Sequence, residues 1–150
     1  MASEQEERDA IDRIAREWCG TPYHDHGEVK GRSGGVDCAK LLKCVFVEAG
    51  QVPPFDIKHY SPQFFLHQPE EKYLEYVSDR AREIDVSLVK HGDVVLYKVG
   101  KCFAHGAIVI KPGWPHIVHA HYVARKVLEA FGTSVHLGTP ILDMKFFTRW

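Results

Sequence analysis

The apolar residues change their spacing near residue 90, and that change limits the folds open to this chain more than any other feature. Before it they recur every three or four positions. Ile11, Ile14, Ala15 and Trp18 fall at i, i+3, i+4 and i+7, one stripe of an amphipathic helix. After it the runs "DVVLYKV" (93–99), "HGAIVIK" (105–111) and "HIVHAHYV" (116–123) are short, rich in β-branched residues and set apart by Gly or Pro. Those are the marks of neighbouring strands. Helices first and an antiparallel sheet after them define an α+β chain, with the helices packed on one face of the sheet.

Local signals bound the elements. The first helix is expected over 6–19, stopped by Gly20 and Pro22. Residues 20–36, "GTPYHDHGEVKGRSGGV", hold five glycines and no periodicity, and read as a loop. A second helix is expected to start at Asp37, a good N-cap, with Leu41, Leu42, Val45, Phe46 and Ala49 as its buried stripe. Gly50 and the Pro53–Pro54 pair end it. Residues 51–69 contain four prolines and are expected to be irregular. A third helix is expected from about Pro69 to Arg82, with Leu74, Val77, Ala81 and Ile84 inward. "RKVLEAF" (125–131) suits helix or strand, and is assigned to a strand because those before it leave an edge to pair with. "ILDMKFFTRW" (141–150) alternates as a last strand. A length of 150 residues, with no repeat or linker, fits one domain over 1–150.

Charge narrows the partners. The formal net charge is −1, so nothing global points to nucleic acid. No apolar run reaches the roughly 18 residues of a membrane span. The N-terminal stretch "MASEQEERDAIDRIAREW" is acidic and lacks the basic start and apolar core of a secretory signal, so the chain is expected to be cytoplasmic as synthesised. Four cysteines at this length do not make a disulfide scaffold.

Chemistry concentrates at "GVDCAKLLKC" (35–44). Cys38 falls in the first turn of the second helix, where the helix dipole lowers a thiol's pKa, although Asp37 opposes the effect. A buried structural cysteine is the plainer reading of any lone Cys. A thiol nucleophile needs a base, usually His, oriented by a third polar group. His105 opens a strand directly after a loop, and His119 lies on the next strand, so a hairpin would make them neighbours. Cys44 follows Cys38 by six residues, or about 600° of helix, which leaves the two side chains about 120° apart. It reads as a packing residue. Cys19 and Cys102 have no evident partner. His24 with His26, and His116 with His119 and His121, resemble metal clusters in composition, but neither C-x-x-C nor H-E-x-x-H is present. No metal and no cofactor is expected. His24 and His26 follow Tyr23 in the loop facing Cys38 and are expected to line the cleft.

Five blocks in order, "GTPY" (20–23), "GVDCAKLL" (35–42), "HGDVVLY" (91–97), "HGAIVI" (105–110) and "IVHAH" (117–121), resemble the NlpC/P60 family of papain-like cysteine peptidases, which cleave cell-wall peptides. The family pattern is G-x-P-Y, D-C-S-G-[FL], G-D-[LV]-[VL]-[FY], H-V-[GA]-[IL] and a later [IV]-H-A, and the resemblance spans residues 6–130. It implies Cys38 as nucleophile, His105 as general base and His119 as the residue orienting that base. It implies Tyr23 as a shaper of the site and the Cys38 backbone N–H as part of an oxyanion hole. Ala39 and Lys40 stand where the family has Ser-Gly near the substrate groove, and Gly106 stands where a β-branched residue is usual. Lys30 and Arg32 are either carboxylate ligands or solvated loop charges. The implied substrate is a peptidoglycan stem peptide, and the compact form is similar to enzymes carried with phage tail proteins. A secreted antibacterial amidase, an amidase acting on free peptides inside the cell, and an inactive partner-binding module of the same fold stay open.

Overall fold

The computed structural model describes residues 1–58 and 71–150. Helix α1 runs Glu4–Glu17. Ser3 caps it by accepting the Glu6 N–H at 3.1 Å, and Glu4, Glu6 and Glu7 occupy the first turn, where the helix dipole favours acid. Ile11, Ile14, Ala15 and Trp18 are buried as their spacing predicts. Helix α2 runs Cys38–Glu48 behind Asp37, whose Oδ1 accepts the Lys40 N–H at 2.9 Å.

The glycine-rich loop between them is more ordered than expected. It holds a two-residue hairpin, β1 (Glu28–Val29) against β2 (Gly35–Val36). A Cβ on Gly34 would fall 2.0 Å from the Val29 carbonyl oxygen, so the tight reversal requires glycine there.

Helix α3 runs Lys72–Ser78 and ends short of the predicted Arg82. Its expected start at Pro69 lies outside the described residues, as does most of the proline-bearing stretch. Arg82–Ile84 form strand β3 instead, because the free edge of the last strand offers them a ladder, with Ile84 opposite Phe146. Strands β4 (Val94–Val99), β5 (Cys102–Val109), β6 (His116–His121), β7 (Lys126–Phe131) and β8 (Ile141–Thr148) complete a six-stranded antiparallel sheet. Its order is β3-β8-β4-β5-β6-β7. The segment 125–131 is therefore a strand, and β5 starts at Cys102 rather than His105.

Helices α1 and α2 cover one face, packing on Val94, Leu96, Ile108 and Val118. The other face carries Val95, Tyr97, Ala107, Val109 and Ile117, covered by Trp114, Val135 and Leu137. Burial on both faces explains why β4 and β5 read as continuous apolar runs rather than alternating ones.

A buried clamp fastens α1 to the sheet. Arg8, 5% exposed, donates to Asp93 Oδ1 at 2.9 Å, the His91 carbonyl at 3.0 Å and Thr148 Oγ1 at 3.2 Å. Gly92 lies under it at φ +93°, where a Cβ would come within 3.2 Å of the Arg8 side chain. The "HGD" block thus serves α1 docking.

Candidate active site

The residues before the cap are stitched to the sheet. Tyr23 bridges Val36 in parallel fashion, and its N–H donates to the Arg125 carbonyl at 2.9 Å. The second oxygen of Asp37 accepts the His26 N–H at 2.7 Å. Asp37 therefore caps α2 and holds the loop at once. His24 is exposed and His26 half-buried beside this turn.

Cys38, at the head of α2, is 9% exposed. Its thiol donates to the Ala104 carbonyl at 3.5 Å. That carbonyl is available because β5 carries a bulge. Tyr97 pairs with His105 and Lys98 with Phe103, leaving Ala104 as the extra residue. Among the described residues no hydrogen bond joins the thiol to the next residue, His105. The His105 ring packs near Tyr97, with centroids 5.8 Å apart.

Two imidazoles stand in line behind the strand. His105 Nε2 and His119 Nδ1 lie 2.8 Å apart, with the rings edge to face. His105 is 7% exposed and His119 fully buried. Among the described residues His119 Nε2 has no hydrogen-bond partner. His121 packs on His119 with centroids 4.9 Å apart, and its Nδ1 accepts the Ala124 N–H. His116 packs against Phe131 instead, with the rings tilted and their centroids 5.0 Å apart. Among the described residues no three His, Cys, Asp or Glu side chains converge as metal ligands, and no helix is long and apolar enough to cross a membrane.

The electrostatics reverse one expectation. Burial pushes the Cys38 thiol well above its ordinary pKa, and the Asp37 carboxylate adds to that. The N–H groups of Gly106, Ala39 and Cys38 pull the other way and lose. Burial, with the neighbouring imidazoles second, holds His105 well below its usual value and His119 at about 3. Both directions favour the uncharged forms, a thiol at Cys38 and neutral rings at His105 and His119. All four cysteines are free thiols. Burial raises Cys19, Cys44 and Cys102 to about 11.

Neither a protein-family model nor a curated protein sequence matches the chain. Solved structures do match. The NlpC/p60 domain of the peptidoglycan hydrolase SagA is similar with a TM-score of 0.59 and 22% identity, over 92% of this chain and 96% of that one. The P60 domain of an antigen from M. avium subspecies paratuberculosis gives 0.59 and 18%, over 97% and 95%. The peptidoglycan hydrolase RipB from Mycobacterium tuberculosis gives 0.62 and 17%, over 97% of this chain but 65% of RipB.

The chain has the NlpC/P60 fold.

Within that fold, two departures from the NlpC/P60 pattern acquire a structural account. Lys40, 9% exposed, turns to β1 and meets Glu28 Oε1 at 2.7 Å, where Lys43 also binds at 2.8 Å. Both lysines hold the Glu28 carboxyl below the usual range. Lys40 thus pins the hairpin to α2. Gly106 makes room for Tyr73. A Cβ there would lie 2.2 Å from the Tyr73 hydroxyl oxygen. That hydroxyl donates to the Cys38 carbonyl at 3.1 Å. Ala39 is half-buried and, with Cys38, Phe46, Tyr73 and Phe147, lines an apolar cavity of about 110 Å³.

Tyr73, Glu28 and the Ala104 carbonyl escaped the sequence reading. The unusual Lys40 and Gly106 were the signals for the first two, since a bulky or missing side chain beside a cleft demands a complement. Nothing in the residue string marks the bulge.

Proposed function

We propose that the chain is a cysteine hydrolase of peptide bonds in peptidoglycan stem peptides, with Cys38 as nucleophile, His105 as base and His119 as its orienting partner. The observation that carries this reading is the buried 2.8 Å contact between His105 and His119, on the strand residue that follows the thiol's acceptor Ala104. Similarity to domains of peptidoglycan hydrolases supports it.

The chemistry follows from which ring nitrogen is spoken for. If His105 Nε2–H donates to His119 Nδ1, the lone pair of His105 Nδ1 is left for the thiol proton. The thiol gives its proton to that nitrogen as sulfur attacks the substrate carbonyl carbon. N–H groups at the head of α2 hold the oxyanion. The C–N bond breaks, the amine takes the proton from His105, and a thioester remains. Water then loses a proton to His105 and attacks. The C–S bond breaks, and the thiol regains its proton.

Purified peptidoglycan digested with the chain should release muropeptides whose masses identify the cleaved bond. Cys38→Ala should abolish release, and His105→Ala should lower it by at least a hundredfold. Full activity in Cys38→Ala would sink the reading.

A further inference from the structure

The turn after β6 carries an exposed cation. Arg125 is exposed and, among the described residues, pairs with no carboxylate. Its guanidinium carbon lies 5.5 Å from the Tyr23 ring centre and 5.3 Å from that of Tyr122. The two rings meet edge to face at 5.4 Å. Two aromatic faces orient the guanidinium while consuming none of its five N–H donors.

Its backbone is placed with equal care. Arg125 sits at φ +62°, a left-handed conformation that costs a side-chain-bearing residue free energy. The turn is held to the segment leading to Cys38. The Arg125 carbonyl takes the Tyr23 N–H at 2.9 Å, Pro22 bridges Lys126, and Val127 exchanges hydrogen bonds with Gly20 and Thr21. Tyr23 thus joins the guanidinium to the thiol. Its ring supports Arg125, its chain neighbour across the bridge is Val36, and Val36 is followed by Asp37 and Cys38.

We propose that Arg125 binds a carboxylate of the peptide substrate close to the scissile bond and so sets specificity for acidic over amidated peptides. The planar fork of the guanidinium matches a carboxylate in bidentate fashion. This inference rests on the hydrolase reading of Cys38, and the test separates the two.

The full chain bearing Cys38→Ala, which cannot turn over, is titrated by calorimetry with the stem peptide L-Ala-γ-D-Glu-L-Lys-D-Ala. It is then titrated with two counterparts, one with the glutamate α-carboxyl amidated and one with the C-terminal carboxyl amidated. One amidation should weaken binding by about tenfold to a hundredfold, the range for a lost charge-assisted hydrogen bond. Adding Arg125→Gln should weaken the acid form by the same factor and erase the acid-to-amide difference. Arg125→Lys keeps the charge without the fork and should retain part of it, which supplies a second reading if the Gln variant does not fold. An acid-to-amide ratio unchanged by both substitutions overturns the inference alone. Failure of every peptide to bind the Cys38→Ala chain overturns the substrate reading and the inference with it.

Discussion

At Cys38 the helix terminus and the burial of the thiol act in opposite directions, and burial wins. Position on a helix was readable from Asp37 and the spacing of Leu41, Leu42 and Val45, and the Asp cap formed as expected. The depth of the thiol was not readable, because it depends on β5 and Tyr73 closing over the helix start from distant parts of the chain. The consequence for reactivity has a definite sign. A raised pKa leaves little thiolate at neutral pH, so the alkylation rate of Cys38 by iodoacetamide should climb tenfold per pH unit across pH 7–10. An ordinary thiol near 8.5 would level off inside that window. Peptide mapping by mass spectrometry separates Cys38 from Cys19 and Cys44. A plateau below pH 7 would show a resting thiolate and contradict the neutral pair.

At the scale of elements, β5 and α3 meet through an absent side chain. Gly106 faces Tyr73, and the Tyr73 hydroxyl holds the first carbonyl of α2. Gly106→Ala should lower stability by about 1–3 kcal/mol through overpacking. Tyr73→Phe should cost about 1 kcal/mol for the lost hydrogen bond. The double variant should be more stable than the sum of the two losses, because removing the hydroxyl relieves the closest contact of the new methyl group. Urea midpoints of the four chains measure the coupling, and strict additivity would refute the pairing. The same contact shows why some elements were legible and others not. Periodicity found both long helices and the last strand, short β-branched runs found three more, and the free edge beside them assigned 125–131 to a strand. Strand β3 has three residues and exists because β8 lends it an edge. Hairpin β1–β2 depends on the Lys40–Glu28 ion pair and on Gly34. No local pattern encodes such borrowed structure.

At the scale of the molecule, chain ends and middle are joined by the Arg8 clamp. Arg8 and Asp93 are both withdrawn from water, with side chains 6% and 0% exposed. Removing Asp93 leaves the buried Arg8 with only the half-exposed Glu4 carboxylate as counter-ion, so Asp93→Ala should destabilise the fold by about 3 kcal/mol, read as a fall in the urea midpoint. Arg8→Met with Asp93→Ala should recover part of that loss, and equal loss in the single and double variants would contradict the pairing. The buried imidazoles give the whole molecule a second property, sensitivity to mild acid. His105 and His119 have folded pKa values below the unfolded value of about 6.5. Above pH 6.5 both states carry neutral rings, and the full stability is present. As pH falls below 6.5 the unfolded chain binds two protons that the folded chain refuses until His119 titrates near 3. Each refused proton removes about 1.4 kcal/mol per pH unit. Stability should therefore drop between pH 6.5 and 4.5, before most carboxylates titrate. His119→Gln keeps an amide beside His105 and removes one titrating ring, so it should roughly halve the slope. Urea unfolding followed by tryptophan fluorescence at half-unit pH steps measures both slopes. Equal stability of the parent chain at pH 7 and pH 5 would show that the pair does not rest buried and neutral.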